Sequence, residues 1–338
     1  MRILIPDLET ISTLDFLSQL DNTIVDDEVN IDASMKWVRP FGLLLASSSL
    51  RFFRERYSDI PFHITVGNTQ GVDYAGHMGF FKSLSDKLPI GKNPGEAYGN
   101  NNYLPIESLN IQALHQKEID SGNYVEVGDV VEKEAKRLAQ ILAHGDRETL
   151  SLFTYILREM IRNTPEHAET DKVWVCGQYW NDRSAEVAIL DEGIGIRRSL
   201  QKNAVHREYV TNDEDALRIA VKAGISEAFS PSERNRNSDV WSNSGFGLYM
   251  VSEICKNLNG SFCLASGNKY LHINARGTIS IGNTWVCGSA VKITVSTRNL
   301  TNSKRIIQQL AKQGEEAARN TRNAFKSASR PSKGLILD

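Results

Sequence analysis

Apolar and polar positions alternate in short blocks over the first hundred residues. Residues 1–8, Met-Arg-Ile-Leu-Ile-Pro-Asp-Leu, read as a buried strand, and residues 10–20 place Leu14, Leu17 and Leu20 on one helical face. Val29 to Ala33 reads as a short strand, Phe41 to Phe53 as a strongly apolar helix, and Phe62 to Val66 as an alternating strand. Strands interleaved with helices argue for an α/β unit. Pro89, Gly91, Pro94, Gly95, Gly99 and the asparagines Asn100 to Asn102 mark a loop, and a strand from Tyr103 to Leu109 is expected to finish this unit.

From Val127 the spacing turns helical. Val130, Val131, Ala135, Leu138, Ile141 and Leu142 predict one helix, His144-Gly145-Asp146 a break, and Leu150, Phe153, Ile156, Leu157, Met160 and Ile161 a second helix from Arg147 to Asn163. Strands are expected at Lys172 to Gln178, Ala185 to Leu190, Ser261 to Ala265, Thr278 to Gly282 and Ala290 to Ser296, with a helix after Gly247. The last forty or so residues are polar and charged, and are expected to form a mobile or partner-dependent helix outside any core. The expected units are therefore 1–125, 126–298 and a tail at 299–338.

Composition narrows the function classes. A chain of 338 residues that is 41% hydrophobic has material for about two cores. A net charge of −2 gives no general attraction for nucleic acid. No apolar run is long enough to span a bilayer, and the start turns acidic too soon for a signal peptide. Cys176, Cys255, Cys263 and Cys287 are scattered, as expected of reduced thiols in a cytoplasmic protein. The seven histidines have no metal-binding spacing, and Gly91-Lys92 lacks the rest of a phosphate loop.

The candidate chemistry lies in three stretches. Glu159 and Asn163 stand at i and i+4, so both leave one helix face. The amide oxygen is a hard donor suited to Mg²⁺, and the carboxylate can orient or deprotonate a water or hydroxyl. Taken alone, the pair reads more simply as an exposed polar stripe on an amphipathic helix. Asp191 ends an apolar strand and is followed by Gly193 and Gly195, whose backbone can approach a ligand closely. Gly245-Phe246-Gly247-Leu248 opens an apolar helix, and amides at a helix N-terminus bind anions. A glycine-capped buried helix has the same sequence. The order of the three is what carries weight.

Together these stretches resemble the ATP site of the gyrase, heat-shock-chaperone, histidine-kinase and MutL superfamily (GHKL), over about Val127 to Thr297. The resemblance implies a two-layer α/β sandwich with a mixed sheet and an ATP lid. It implies ATP and Mg²⁺ as ligands. Glu159 would be the catalytic base and Asn163 the magnesium ligand. Asp191 would accept from the adenine amino group, and Gly193, Gly195, Gly245 and Gly247 would lie along base and phosphates. Ser289 matches the hydroxyl that opens the last strand and helps hold the base through water. The polar stretch from Ile196 to Asn243, with a short helix near Ala216 to Ala223, occupies the place of the lid. Arg234 or Arg236 could reach phosphate from it, but a solvated loop is the simpler account of them.

Glu159-x-x-x-Asn163-x-x-x-His167 is most similar to the bacterial anti-sigma-factor serine kinases. His115-Gln116 and His144-Gly145 fit a phosphoacceptor poorly, so histidine autophosphorylation is disfavoured. Pro165 departs from the pattern. It is expected to interrupt the helix, with Thr164 capping a new turn and His167 displaced from its i+8 relation to Glu159. Residues 1–110 resemble a degenerate STAS domain through Val29 to Ser34, Trp37 to Leu45 and His77 to Phe81. Arg39-Pro40-Phe41-Gly42 stands at the phosphoacceptor loop without a hydroxyl, which leaves docking or sensing as this unit's expected role.

The expected function is slow ATP hydrolysis or phosphoryl transfer to Ser/Thr of a partner protein. The alternative is a nucleotide-gated protein-binding switch, in bacterial signalling or defence, with negligible catalysis. A nucleic-acid motor is disfavoured, because only about forty polar residues follow Thr297, where such proteins place a transducer domain. A protein partner is expected, a homodimer is compatible with the resemblance, and neither nucleic acid nor membrane is expected.

Overall fold

The computed structural model describes residues 1–100, 102–225 and 245–319. The first elements in chain order are β1 (Arg2–Ile5), α1 (Thr10–Asp21), β2 (Val29–Ala33), α2 (Pro40–Arg56), β3 (Phe62–Val66), α3 (Gln70–His77) and α4 (Phe80–Leu84). Next come β4 (Tyr103–Asn110), α5 (Ile111–Asp120), α6 (Val127–Leu142), α7 (Arg147–His167), β5 (Lys172–Tyr179) and β6 (Ser184–Asp191). The chain continues through α8 (Gly195–Lys202), α9 (Ala204–Arg207), α10 (Asp213–Ala220), α11 (Gly247–Asn257), β7 (Ser261–Ile273), β8 (Ile279–Ser296) and α12 (Ser303–Arg319).

Two sheets organise these elements into the expected α/β and α+β architecture. β1, β2 and β3 form a parallel sheet in that order, with Ile3 opposite Ile31 and Ile31 opposite Ile64. Parallel neighbours need crossovers, which α1 and α2 supply. The second sheet runs β4-β5-β6-β8-β7 and is antiparallel throughout, where a mixed sheet is expected from the sequence. β4, expected to finish the first unit, is the edge strand of this second sheet. β8 is one strand from Ile279 to Ser296 rather than two. Gly282 looks like a breaker, but a Cβ there would stand 2.5 Å from the Tyr270 hydroxyl, so the glycine makes room for a cross-strand ring.

Strand alternation sorts the faces of the second sheet. Val173, Val175, Val187, Ile189, Leu264 and Val291 join the core under α6, α7 and α11. Trp174, Cys176, Ala188, Leu190, Cys263 and Ala290 join the core under α1 and α2. Each valine, leucine or isoleucine among them contributes about 1.5–3 kcal/mol by leaving water. The expected two-layer sandwich is thus covered on its back face by the first unit.

The break between α6 and α7 falls where turn chemistry places it. His144 and Gly145 take positive φ of 50° and 74°, and the Asp146 side chain accepts from the Thr149 amide at 2.7 Å. Pro165 does not interrupt α7, which runs on to His167. It sits in the last turn, where its missing N–H costs one bond, and the Ala168 amide still donates to the Thr164 carbonyl at 3.0 Å. Thr164 therefore caps nothing, and His167 keeps its i+8 relation to Glu159.

The tail corrects a second expectation. α12 buries Ile307, Leu310, Ala311 and Ala318 in the helical core, against α7 and α11. Its first turn is anchored by the Ser303 amide and hydroxyl, which donate to Glu148 Oε2 at 2.6 and 2.7 Å. No described helix is long and apolar enough to cross a membrane.

Candidate nucleotide site

The second half of α7, the end of β6 and the start of α11 converge on one cleft of about 830 Å³, counting its open mouth. Asn163, Asp191, Gly195, Gly245, Gly247 and Ser289 line it, and so does His167. Glu159 and Gly193 do not line it and lie just behind its wall.

α7 presents its polar stripe to the N-terminus of α11. A Cβ at Gly247 would stand 3.3 Å from Glu159 Oε2 and 3.9 Å from Asn163 Nδ2, so glycine permits the helix to begin against those side chains. Glu159 is fully buried. Arg158 donates to one of its oxygens at 2.9 Å and Arg162 to the other at 3.2 Å. Arg158 also reaches Glu132 Oε2 on α6, at 3.4 Å, and Arg162 stands 3.4 Å from Glu166 Oε1. Both guanidinium groups are themselves almost fully buried. Their role is invisible in a sequence where charges at i−1 and i+3 read as a solvated face.

Asp191 is held from two sides. The Gly193 amide donates to Oδ1 at 3.0 Å, and the Ser289 hydroxyl donates to Oδ2. The β6–β8 register sets Ser289 directly opposite Asp191. Burial raises the Asp191 carboxyl above the ordinary carboxylate range, and these hydrogen bonds oppose the rise. Gly288, one residue earlier, has φ +95°, and a Cβ there would stand 2.1 Å from the Asp191 carbonyl oxygen. Only glycine lets the two strands meet in that way.

The glycines serve the protein as much as any ligand. A Cβ at Gly193 would stand 2.0 Å from the Ala168 carbonyl oxygen, which accepts from the Ile194 amide at 2.9 Å. This glycine seats the motif on the end of α7, a reason the sequence does not reveal. Gly245, at φ +72°, would bring a Cβ to 2.2 Å from the Ile225 carbonyl oxygen. Gly195, at φ +77°, leaves room for Ser266, whose hydroxyl accepts from the Ile196 amide at 3.0 Å. Ser266 was not singled out from the sequence, and nothing in its local pattern marks it.

The cleft suits a purine nucleotide. Met160, Ile189, Leu264 and Val291 give it apolar walls for a flat base. Ile189, Leu264 and Val291 stand on the same strand faces as the helical core, the signal that locates them. Asp191 offers an acceptor beside them, and the α11 N-terminus offers amides to an anion. Among the described residues no group of three or more His, Cys, Asp or Glu side chains is placed to hold a metal. Asn163 offers a hard oxygen near the α11 N-terminus, which suits a magnesium ion carried mainly by phosphates and water. α8 and α10 reach the mouth with Ser199, Leu200 and Ala220. Arg234 and Arg236 lie outside the described residues.

An antiparallel sheet under helices, a strand-end carboxylate and a glycine-opened helix facing a Glu-x-x-x-Asn stripe form an α/β sandwich with one cleft between them. Residues 149–298 match the family model described as histidine kinase-, DNA gyrase B- and HSP90-like ATPase, so this stretch of the chain is similar to that family. No curated protein and no solved structure matches the chain.

Proposed function

We propose that the cleft binds Mg-ATP and that the protein is a slow ATP-driven regulator. The observation that carries this reading is the Asp191 carboxylate, fixed by Gly193 and Ser289 at the end of an apolar slot that opens toward the α11 N-terminus. Asp191 would accept from the adenine amino group, and Ser289 would hold its orientation. Amides near Gly245 and Gly247 would face the phosphates, with Asn163 as the protein's ligand to magnesium. The bound ion would neutralise charge developing on the transferred phosphoryl group.

Glu159 is the candidate base for hydrolysis or for transfer to a Ser/Thr hydroxyl of a partner protein. Its two guanidinium contacts occupy both oxygens, so accepting a proton requires one contact to loosen. That clamp supports slow turnover. It also favours the second reading, a nucleotide-gated binding switch whose output is the partner surface exposed with ATP bound. The glutamate four residues before Asn163 supports the anti-sigma-factor-kinase subclass over histidine autophosphorylation.

The first unit reads as a docking or sensing module. Arg39-Pro40-Phe41-Gly42, at the place of the STAS phosphoacceptor loop, carries no hydroxyl and forms the start of α2, with Phe41 and Gly42 buried. A homodimer and a cytoplasmic location remain part of this reading. Asp191→Asn tests its core. Loss of a charged hydrogen-bond partner is expected to weaken ATP-analogue binding by about 10- to 100-fold. Unchanged affinity would remove Asp191 from the site.

A further inference from the structure

Consecutive residues at the end of β6 point to opposite faces of the second sheet. Ala185, Val187 and Ile189 belong to the core on the nucleotide side, and Asp191, which lines the cleft, continues that row. Ala188 and Leu190 belong to the core under α2, and Glu192 continues that row. The Asp191-Glu192 pair therefore passes through the sheet, with one carboxylate in the cleft and the other in the first unit.

Glu192 is held there by contacts to Ser48, Arg51 and Trp174. Its Oε1 accepts from the Ser48 hydroxyl at 2.7 Å and from the Arg51 guanidinium, both on α2. Its Oε2 accepts from the Trp174 indole N–H at 3.3 Å. Arg51 also lies over the Trp174 ring, at 4.8 Å from its centroid, and donates to the Ser83 carbonyl on α4 at 2.7 Å. α2 grips the other end of β6 too, where Glu186 accepts from the Phe41 amide at 3.1 Å at the helix N-terminus. One helix of the first unit thus spans the strand that ends in Asp191.

We infer that Glu192 is a positioning residue, through which Ser48 and Arg51 of the first unit hold Asp191 in its nucleotide-binding geometry. The inference rests on the reading of the cleft as an ATP site. Asp191 and Glu192 share a peptide bond, so rotation of one backbone moves the other. Releasing Glu192 frees the turn that also carries the Gly193 amide, one of the two groups that orient the Asp191 carboxylate. A movement of α2 would then reach the cleft through covalent bonds and two hydrogen bonds, without crossing the core. The link gives the first unit a route to set nucleotide affinity, and gives bound nucleotide the same leverage on the first unit.

The test is titration of a non-hydrolysable Mg-ATP analogue into the full chain by calorimetry, with thermal midpoints measured alongside. Arg51→Met and Glu192→Ala are each expected to weaken binding about tenfold, and together to do no more than either alone. Arg51→Lys is expected to recover most of the loss. Leu20→Ala, a core truncation elsewhere in the first unit, is expected to lower the midpoint while leaving affinity within about twofold. Unchanged affinity in Arg51→Met and Glu192→Ala overturns the inference alone, as does an additive double variant or an equal loss in Leu20→Ala. No binding by the unsubstituted chain overturns the ATP reading and the inference with it.

Discussion

Glu159 and Asp191 are both buried carboxylates, and their surroundings prepare them for different work. Glu159 sits between Arg158 and Arg162, which donate to its two oxygens. Replacing it with Gln removes a charge while leaving both guanidinium groups buried, at a cost of about 3–5 kcal/mol of folding stability. The variant is expected to bind ATP and to release phosphate at least about 100-fold more slowly, by a coupled phosphate assay. Equal turnover would strip Glu159 of its role. Asp191 has a raised pKa through burial, so the folded state takes up its proton at higher pH than the unfolded chain. The charged form therefore costs stability above the folded pKa, and that cost disappears as pH falls through it. Nucleotide affinity should run the other way, weakening as acid protonates the acceptor, with the onset above the usual carboxylate range. A pH series of dissociation constants flat into that range would contradict the assignment. That Glu159 and Asn163 share a helix and that Asp191 ends a strand was legible in the sequence, because spacing fixes both. The arginine clamp was not, because burial of a charge leaves no mark on a local pattern.

α12 shows where element-level reading fails. Its buried positions Ile307, Leu310, Ala311, Gly314 and Ala318 follow helical spacing, yet two are alanine and one is glycine, too small to stand out among lysines and glutamates. Gly314 is where the helix touches the nucleotide motif. A Cβ there would stand 2.6 Å from the Tyr249 ring and 3.1 Å from Phe246, the residue between Gly245 and Gly247. Gly314→Ala is expected to cost about 1–3 kcal/mol by overpacking and to weaken nucleotide binding through Phe246. A thermal midpoint and affinity equal to those of the unsubstituted chain would show that α12 yields without cost. The single strand β8 was missed for the converse reason. Gly282 and Gly288 look like turns, but one accommodates Tyr270 and the other lets β8 approach Asp191. The helices α6 and α7 were read well because their apolar stripes are wide and their break carries Gly145 and a capping Asp146.

At the scale of the molecule, the nucleotide sandwich is not separate from the first unit. The back face of the second sheet shares a core with α1 and α2 that includes Trp174, Leu190, Cys263 and Trp285. Removing residues 1–100 uncovers that face, and the remaining chain is expected to aggregate or lose cooperative unfolding. A monodisperse fragment with a sharp thermal transition would show that the sandwich folds alone. The thiols report the same packing. Burial raises all four, pushing Cys255 and Cys263 up to about 12 and the half-buried Cys287 to about 11. In the native protein Cys287 should react first and slowly with a thiol reagent, and the others only on unfolding. The changing periodicity of the sequence led to an expectation of two units. It did not show that they share a core, because contacts between distant segments have no local signature. Calorimetry of a non-hydrolysable magnesium-ATP analogue against the full chain and Asp191→Asn decides whether the cleft binds nucleotide through Asp191. Saturable one-site heat is expected from the unsubstituted chain and about 10- to 100-fold weaker binding from the variant. Absent heat in the former, or matching isotherms in the two, would contradict it.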